Sequence, residues 1–431
     1  MQALILVLFS SAFLLDWMHR YGMLPRAGTW TIELIGIIAL VVVVFRAARQ
    51  GGVDLGIGYG VLFILFITHV TVGILLNTVP EGALFTGVRV YFKFLPFFLI
   101  PAVYVFTDKD IAQQMKVLLG LVVFQFPVAS YQLFVEAAGP VGVDVVGGTV
   151  GTSGHLSVVL MCAAAMWMAH YYRMGTLTTT KMLVGLAIIV APTFMNLSKG
   201  TLLLAPLALF GPALLDNSMR GGTRRIATTV VVFVAFSIVF VNTYNAVKDA
   251  HSRSEGEYDV VEFFLSEDKL KRYLIRSEST DAEKAGRIGG MLIALRELSV
   301  DPSRIFFGLG IGNVSKSFFG ARYAGEYYHQ YGELGGATIG RLLWEIGLFG
   351  VVLIYSLCFL VLRDAMALRQ TKGLTGMIGI GWGAVILVIM LSMFYKNIIN
   401  NNVIGVVFWF YSGYVAATAC RLRTRRIEAG P

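Results

Sequence analysis

Hydrophobic and polar positions alternate along the chain as long apolar runs joined by short polar connections. Twelve runs have membrane-spanning length, centred in 2–18, 30–46, 56–78, 86–106, 111–135, 154–172, 181–197, 199–216, 226–246, 337–361, 374–395 and 402–420. A transmembrane helix needs roughly 17–25 mainly apolar residues, which these segments supply. The narrowest division is within 181–216, where Asn196-Leu197-Ser198-Lys199-Gly200 separates two short runs. That division fits either a tight hairpin or a broken, re-entrant pair.

Segment 247–336 interrupts this rhythm. A connection of that size is usually functional or disordered. Its first part, 251–284, is rich in Glu, Asp, Lys, Arg and Ser and reads as a solvated segment. Its second part, 287–299, sets Ile288, Met291, Leu292, Leu295 and Leu298 at helical spacing before Asp301-Pro302. This predicts an amphipathic helix, either lying on the membrane surface or roofing a cavity between spans. The expected fold class is an all-α polytopic membrane protein with about twelve transmembrane helices. It divides into nine spans in 1–246, a large loop in 247–336, three spans in 337–420 and a basic tail in 421–431.

Composition agrees: 56% of residues are hydrophobic and 14% charged, against about 25% charged in a typical soluble domain. Basic residues fix an orientation. Arg46, Arg49, Lys109, Arg173, Lys181, Arg220, Arg224, Arg225, Arg363, Arg369, Lys372 and the Arg421–Arg426 cluster recur on alternate sides. By the positive-inside rule that side is cytoplasmic. Both termini then face the cytoplasm, and the large loop faces the periplasm or exterior. The net charge of +9 is read as this bias, so no nucleic-acid partner is expected. The first apolar run lacks a basic leader and a small-residue cleavage site and is read as a first span. Cys162, Cys358 and Cys420 all lie in apolar runs, with neither disulfide nor metal-ligand spacing.

Charges inside hydrocarbon cost roughly 2.5–3.5 kcal/mol each on insertion scales, so they usually face a partner or a wet cavity. On this topology Arg89, Lys93, Lys199, Arg287 and Arg341 gather towards the outer face. Arg89 and Lys93 are spaced i,i+4 and repel, and a bound dianion such as pyrophosphate would offset that repulsion. Snorkelling to the interface is the plainer reading of such side chains. Arg341 and Glu345 are also spaced i,i+4. They are either a self-neutralising pair or an arginine oriented by its glutamate towards a phosphate. His329, in Tyr327-Tyr328-His329-Gln330-Tyr331, is a candidate base, with tyrosines suited to holding sugar. The glycines of Phe307-Gly308-Leu309-Gly310-Ile311-Gly312 lack the strand–helix context of a dinucleotide site. They predict a tight turn returning the amphipathic helix to the bilayer.

Taken in order, these features resemble the O-antigen ligase/polymerase superfamily, which includes Wzy polymerases and WaaL ligases. Ala285-Gly286-Arg287 leading into the amphipathic helix is similar to the family's S/A-G-R segment. Pro302 to Gly312 is similar to its glycine-rich stretch, and Glu345-Ile346-Gly347-Leu348-Phe349-Gly350 matches E-x-G-x-x-G. Ser198-Lys199-Gly200 stands where the family has S-R-G, so lysine replaces arginine and bidentate geometry is lost. Gly151 to His155 loosely matches a turn before the sixth span. The resemblance spans roughly residues 145–350. Gly336 occupies the place of the ligases' histidine, and His329 stands earlier in the chain, which favours the polymerase branch.

The resemblance implies a metal-independent glycosyltransferase of GT-C-like architecture in the bacterial inner membrane, working at the periplasmic face. Its donor would be an oligosaccharide on undecaprenyl pyrophosphate. Its acceptor would be a second lipid-linked repeat or, for a ligase, lipid A core. Arg89, Lys93, Lys199, Arg287 and Arg341 would hold the pyrophosphate. His329 or Glu333 would act as base, Arg287 would act at the reacting centre, and Glu345 and Tyr328 would support. No metal or nucleotide cofactor is expected. Membrane lipid and a chain-length co-polymerase are the implied partners. The competing reading from another class is a lipid-linked oligosaccharide flippase; against it stand the long loop and the lack of an internal repeat.

Overall fold

The computed structural model describes residues 1–136, 146–196, 198–216, 222–251, 266–268, 271, 287–315, 317, 320–331 and 337–428. Among these the regular secondary structure is helical, with no strand. Helices α1 (Gln2–Arg20), α2 (Thr31–Gln50), α3 (Ile57–Leu76), α4 (Glu81–Phe92), α5 (Leu95–Val103), α6 (Asp108–Val123) and α7 (Gln125–Tyr131) come first. They are followed by α8 (Ser153–Met174), α9 (Thr179–Met195), α10 (Gly200–Leu215) and α11 (Gly222–His251). Then come α12 (Arg287–Leu298), α13 (Pro302–Phe307), α14 (Glu326–Tyr331), α15 (Thr338–Leu368), α16 (Gly373–Tyr395) and α17 (Asn402–Glu428).

Among the described residues ten helical stretches are long and apolar enough to cross a membrane. Two shorter apolar helices, Thr179–Met195 and Gly200–Leu215, occupy the region where the sequence split two short runs. They form an adjoining pair whose turn is tied by the Asn196 side chain, which donates to Ser153 O (3.0 Å) and Ser157 Oγ (2.9 Å) on α8. The bundle therefore has a coarse architecture that the apolar pattern already carried.

Cross-contacts define two ends of the bundle. At one end Gln2 meets Asp110, Arg421 meets Asp54, and Arg423 and Arg363 meet the buried Asp364, which also accepts from Tyr59 (3.0 Å). This termini-bearing end holds the start of α1 and the last described turns of α17. The segment expected as a basic tail begins as the last turns of α17, since that helix continues to Glu428. At the opposite end Arg20 donates to Gly151 O, Asn402 to Asp16, and Thr338 to Lys396 O. Helices α12 to α14 join the bundle at this loop end.

The span expected over 86–106 is two helices, α4 and α5, meeting at Lys93-Phe94. Pro96 causes the interruption, because it has no N–H to continue the ladder and its ring crowds the preceding turn. The helix α12 agrees with the amphipathic expectation in extent, but a different stripe packs inward. Met291, Ala294 and Leu298 are buried, whereas Ile288, Leu292 and Leu295 are exposed. Their spacing makes a second apolar face, of the kind that lies against lipid.

Candidate functional site at the loop end

The glycine run expected as a turn is a wedge. Gly308, Gly310 and Gly312 all have positive φ (69°, 86° and 82°), which side chains other than glycine's rarely tolerate. The wedge is packed as tightly as it is bent. A Cβ on Gly312 would lie 1.8 Å from the Ala83 carbonyl oxygen, and one on Gly308 would lie 2.6 Å from backbone atoms of α15. The run is thus driven between α4 and α15, which no bulkier residue would allow.

The wedge meets α15 where that helix is broken. Gly347 has φ 63° and ψ −174°, so the helical ladder stops and resumes around it. The carbonyls released there are satisfied from outside. Leu309 N–H donates to Trp344 O (2.7 Å), and the His69 ring donates through Nε2 to Ile346 O (2.7 Å). A carbonyl can only accept, so this contact fixes the tautomer with its proton on Nε2. His69 also stacks on Phe307 at 5.0 Å between ring centres. In a membrane-spanning segment an unsatisfied carbonyl would be costly, so His69 and Leu309 are what make the break tolerable.

Immediately before the break lie Arg341 and Glu345, both buried. Arg341 Nε stands 3.4 Å from Glu345 Oε2, and its Nη2 donates to Ser315 Oγ at 2.5 Å. Ser315 in turn donates to Glu345 Oε1, closing a three-membered polar ring. The buried Tyr91 hydroxyl faces the same carboxylate without completing a hydrogen bond of normal geometry. Of the two sequence readings of this pair, the described contacts are those of mutual neutralisation, with Ser315 as the added partner.

The helix junction at Lys93 brings three of the expected basic residues into one neighbourhood. The charged groups acting on Lys93 are Glu33, Arg89, Asp16 and Arg341. Lys93 donates to Asn402 Oδ1 (2.8 Å), and Asn402 donates to Asp16 Oδ2 (2.8 Å). Arg89 is ion-paired with Glu33, its Nε lying 2.9 Å from Oε1. The cluster therefore sets Arg89, Lys93 and Arg341 against Glu33, Asp16 and Glu345. A dianion would have to compete with these carboxylates for their cations.

Lys199 lies at the start of α10, 5.8 Å above the Tyr244 ring. Beside it Ser198 Oγ contacts Tyr395 Oη at 3.1 Å, and the Tyr395 ring fills the space where a Cβ on Gly200 would stand. The next residue, Lys396, lies with its side chain over Gly154 and near His155. His155 itself bridges Thr152 Oγ1 (3.0 Å) and Asn397 O (2.7 Å). Lys396 is a loop-end cation that sequence reasoning missed. Its signal was the polar run Lys396-Asn397 through Asn400-Asn401-Asn402 between two apolar helices.

His329 is elsewhere again. It is exposed and sits in an open depression of about 900 Å³ with Glu81, Arg322, Tyr323 and Glu326. Tyr328, half-buried, packs edge-on to it at 5.9 Å, and the Tyr328 N–H donates to Asn313 O. Glu333 and the Arg287 side chain lie outside the described residues, although the Arg287 backbone begins α12. The expected set is therefore distributed over three places: the Arg89–Lys93–Arg341 cluster with Glu345, the Lys199 turn, and the His329 depression.

Among the described residues no group of three or more His, Cys, Asp or Glu is placed to hold a metal ion. No family model matches this chain, and no curated protein sequence is significantly similar to it.

Proposed function

We propose that this protein is a membrane glycosyltransferase that polymerises polysaccharide repeats, transferring a glycan from undecaprenyl pyrophosphate to a lipid-linked acceptor sugar. In this reading ten long and two short apolar helices make twelve spans in a bacterial inner membrane. The loop end faces the periplasm in a GT-C-like arrangement. The acceptor hydroxyl attacks the anomeric carbon, the bond to the pyrophosphate oxygen breaks, and the pyrophosphate departs with the bonding electrons. Such a reaction needs fixed positive charge where negative charge accumulates. It also needs a base for the hydroxyl proton, worth roughly 100- to 10,000-fold. His329 or Glu333 would be that base, Arg287 and Lys199 would act on the pyrophosphate, and a chain-length co-polymerase would be a partner.

The observation that carries this reading is the gathering of Arg89, Lys93 and Arg341 at the loop end, beside a helix broken within Glu345-Ile346-Gly347. The order of motifs resembling the O-antigen ligase/polymerase superfamily supports it. The test is product analysis in a deletion strain, with lipid-linked intermediates extracted alongside surface polysaccharide. Single repeats accumulated at the outer leaflet without long polymer are the expected result. Full-length polymer still on the carrier would make the protein a ligase. Repeats held at the cytoplasmic leaflet would make it a flippase and discard the catalytic reading.

A further inference from the structure

An apolar cleft of about 300 Å³ lies among the spans. Its walls come from α1, α6, α8, α16 and α17, with Phe13, Met115, Ala163 and Phe408 among them. Helices α8 and α16 pack closely on each other, whereas α6 barely touches either, so α6 stands off as an outer wall. Along α16 the lining runs from Leu374 to Ile389. At about 1.5 Å per residue those fifteen steps make a slot about 22 Å long. The surroundings of membrane-crossing helices are lipid, so an apolar slot of this shape suits one extended hydrocarbon chain.

Polarity decides which chain. The lining side chains that are basic are Lys116 and His170, both towards the termini-bearing end. Two indoles on the wall direct their N–H groups away, Trp167 to Met182 O and Trp382 to Ser412 Oγ. Lys116 is exposed, long enough to reach the headgroup level from a position two turns into α6. Towards the opposite end the lining is apolar, with Phe13, Val159 and Val403. We infer that the slot binds one acyl chain of an anionic glycerophospholipid, drawn from the leaflet at the termini-bearing end, with its headgroup phosphate at Lys116. The head of a pyrophosphate-linked glycan would lie at the other end of the bundle. This site is therefore separate from the proposed reaction and does not depend on it.

The full-length protein, reconstituted in nanodiscs of equal phosphatidylglycerol and phosphatidylcholine, tests this by native mass spectrometry after release into detergent. One phosphatidylglycerol should remain bound through stepwise delipidation. In Lys116→Gln the preference for phosphatidylglycerol should fall about fivefold, the equivalent of the ~1 kcal/mol that one lysine contributes at an anionic lipid surface. In Ala163→Trp, which fills the slot, the retained lipid should be lost. Retention of phosphatidylcholine as readily as phosphatidylglycerol overturns the inference, as does an unaltered preference in Lys116→Gln. A polyisoprenyl phosphate retained from native membranes in place of the phospholipid also overturns it. Should Ala163→Trp fail to fold, the Lys116→Gln comparison decides alone.

Discussion

Replacing Arg341 with Met leaves the Glu345 carboxylate buried with Ser315 as its remaining hydrogen-bond donor. At the observed 3.4 Å separation and an effective dielectric near 20, the lost attraction is about 5 kcal/mol. That agrees with the roughly 3–5 kcal/mol typical of removing one partner from a buried pair. Unfolding entropy near 2.1 cal/mol/K per residue over 431 residues gives about 0.9 kcal/mol/K, so a loss of 4 kcal/mol lowers Tm by about 4 °C. Adding Glu345→Leu removes the stranded charge. The double variant should recover most of the loss, since apolar replacement of a whole buried pair is often neutral or stabilising by about 1–4 kcal/mol. Thermal unfolding of the four purified proteins in one detergent measures this cycle. A single variant as stable as the parent, or a double variant no better than the single, would refute the assignment of Arg341 to Glu345. Polymer yield then separates structure from chemistry. If Arg341 only neutralises Glu345, the double variant regains product; on the proposed phosphate role it stays folded and inactive.

Three further outcomes concern Arg287, the glycine wedge and the α13 cap. Arg287→Ala should abolish polymer while membrane expression stays normal, and normal polymer from that variant would remove Arg287 from the pyrophosphate site. Gly312→Ala must displace the Ala83 backbone, which its Cβ would approach at 1.8 Å, so the variant should be among the least stable single-methyl additions in the chain. A Tm within a degree of the parent would contradict the wedge. Asp301 caps α13 by accepting from the Ser303 N–H (2.8 Å) and hydroxyl (2.9 Å), which hold its carboxyl below the usual carboxylate range. A depressed folded pKa means the cap's contribution is present above the unfolded value near 3.9 and fades as pH falls through the folded one. Hydrogen exchange at Ser303, corrected for intrinsic rates, should stay slow above the ordinary carboxylate value near 3.9 and accelerate as the pH falls well beneath it; equal protection throughout would show that ionisation is irrelevant to the cap.

The helices were legible because a bilayer forces apolar runs of a set length, and the chain obeys that rule with short polar joints. The turn at Gly308 to Gly312 was legible for a local reason, the clustering of residues that accept positive φ. The breaks were less so. At Gly347 the apolar pattern continues straight across, and nothing local says that His69 and Leu309 will take the freed carbonyls. At Lys93 the signal was present in Pro96 and was outweighed by the hydrophobic run around it. Least legible were the ion partners. Asp16 and Glu33 sit on α1 and α2, distant in sequence from Asn402 and Arg89, and a single chain carries no trace of such long-range pairing. The basic residues therefore looked like an uncompensated excess, when the cluster that forms around Lys93 is balanced.

That balance bears on how such a site would work. In a membrane, irregular backbone is tolerated only where protein or water meets it. Here three interruptions, at Lys93-Phe94, at Gly347 and at Asn196–Lys199, all lie towards the loop end. Each carries a basic residue within a turn or two, and Arg89 and Arg341 each have a carboxylate partner of their own. A cation held this way costs less to bury than a bare one, and it is positioned before any ligand arrives. Its carboxylate then sets a threshold: a monoanion gains little by displacing it, whereas a pyrophosphate can engage several cations at once. A balanced cluster next to broken helices is thus compatible with selective binding of a multiply charged leaving group, and it separates two jobs. Arg89, Lys93 and Arg341 would set the field, and Lys199 at the start of α10 would act on the pyrophosphate itself. On the proposed reading Lys199→Met should weaken donor binding, read as loss of polymer from protein that still inserts in the membrane; unchanged polymer would remove Lys199 from the pyrophosphate site.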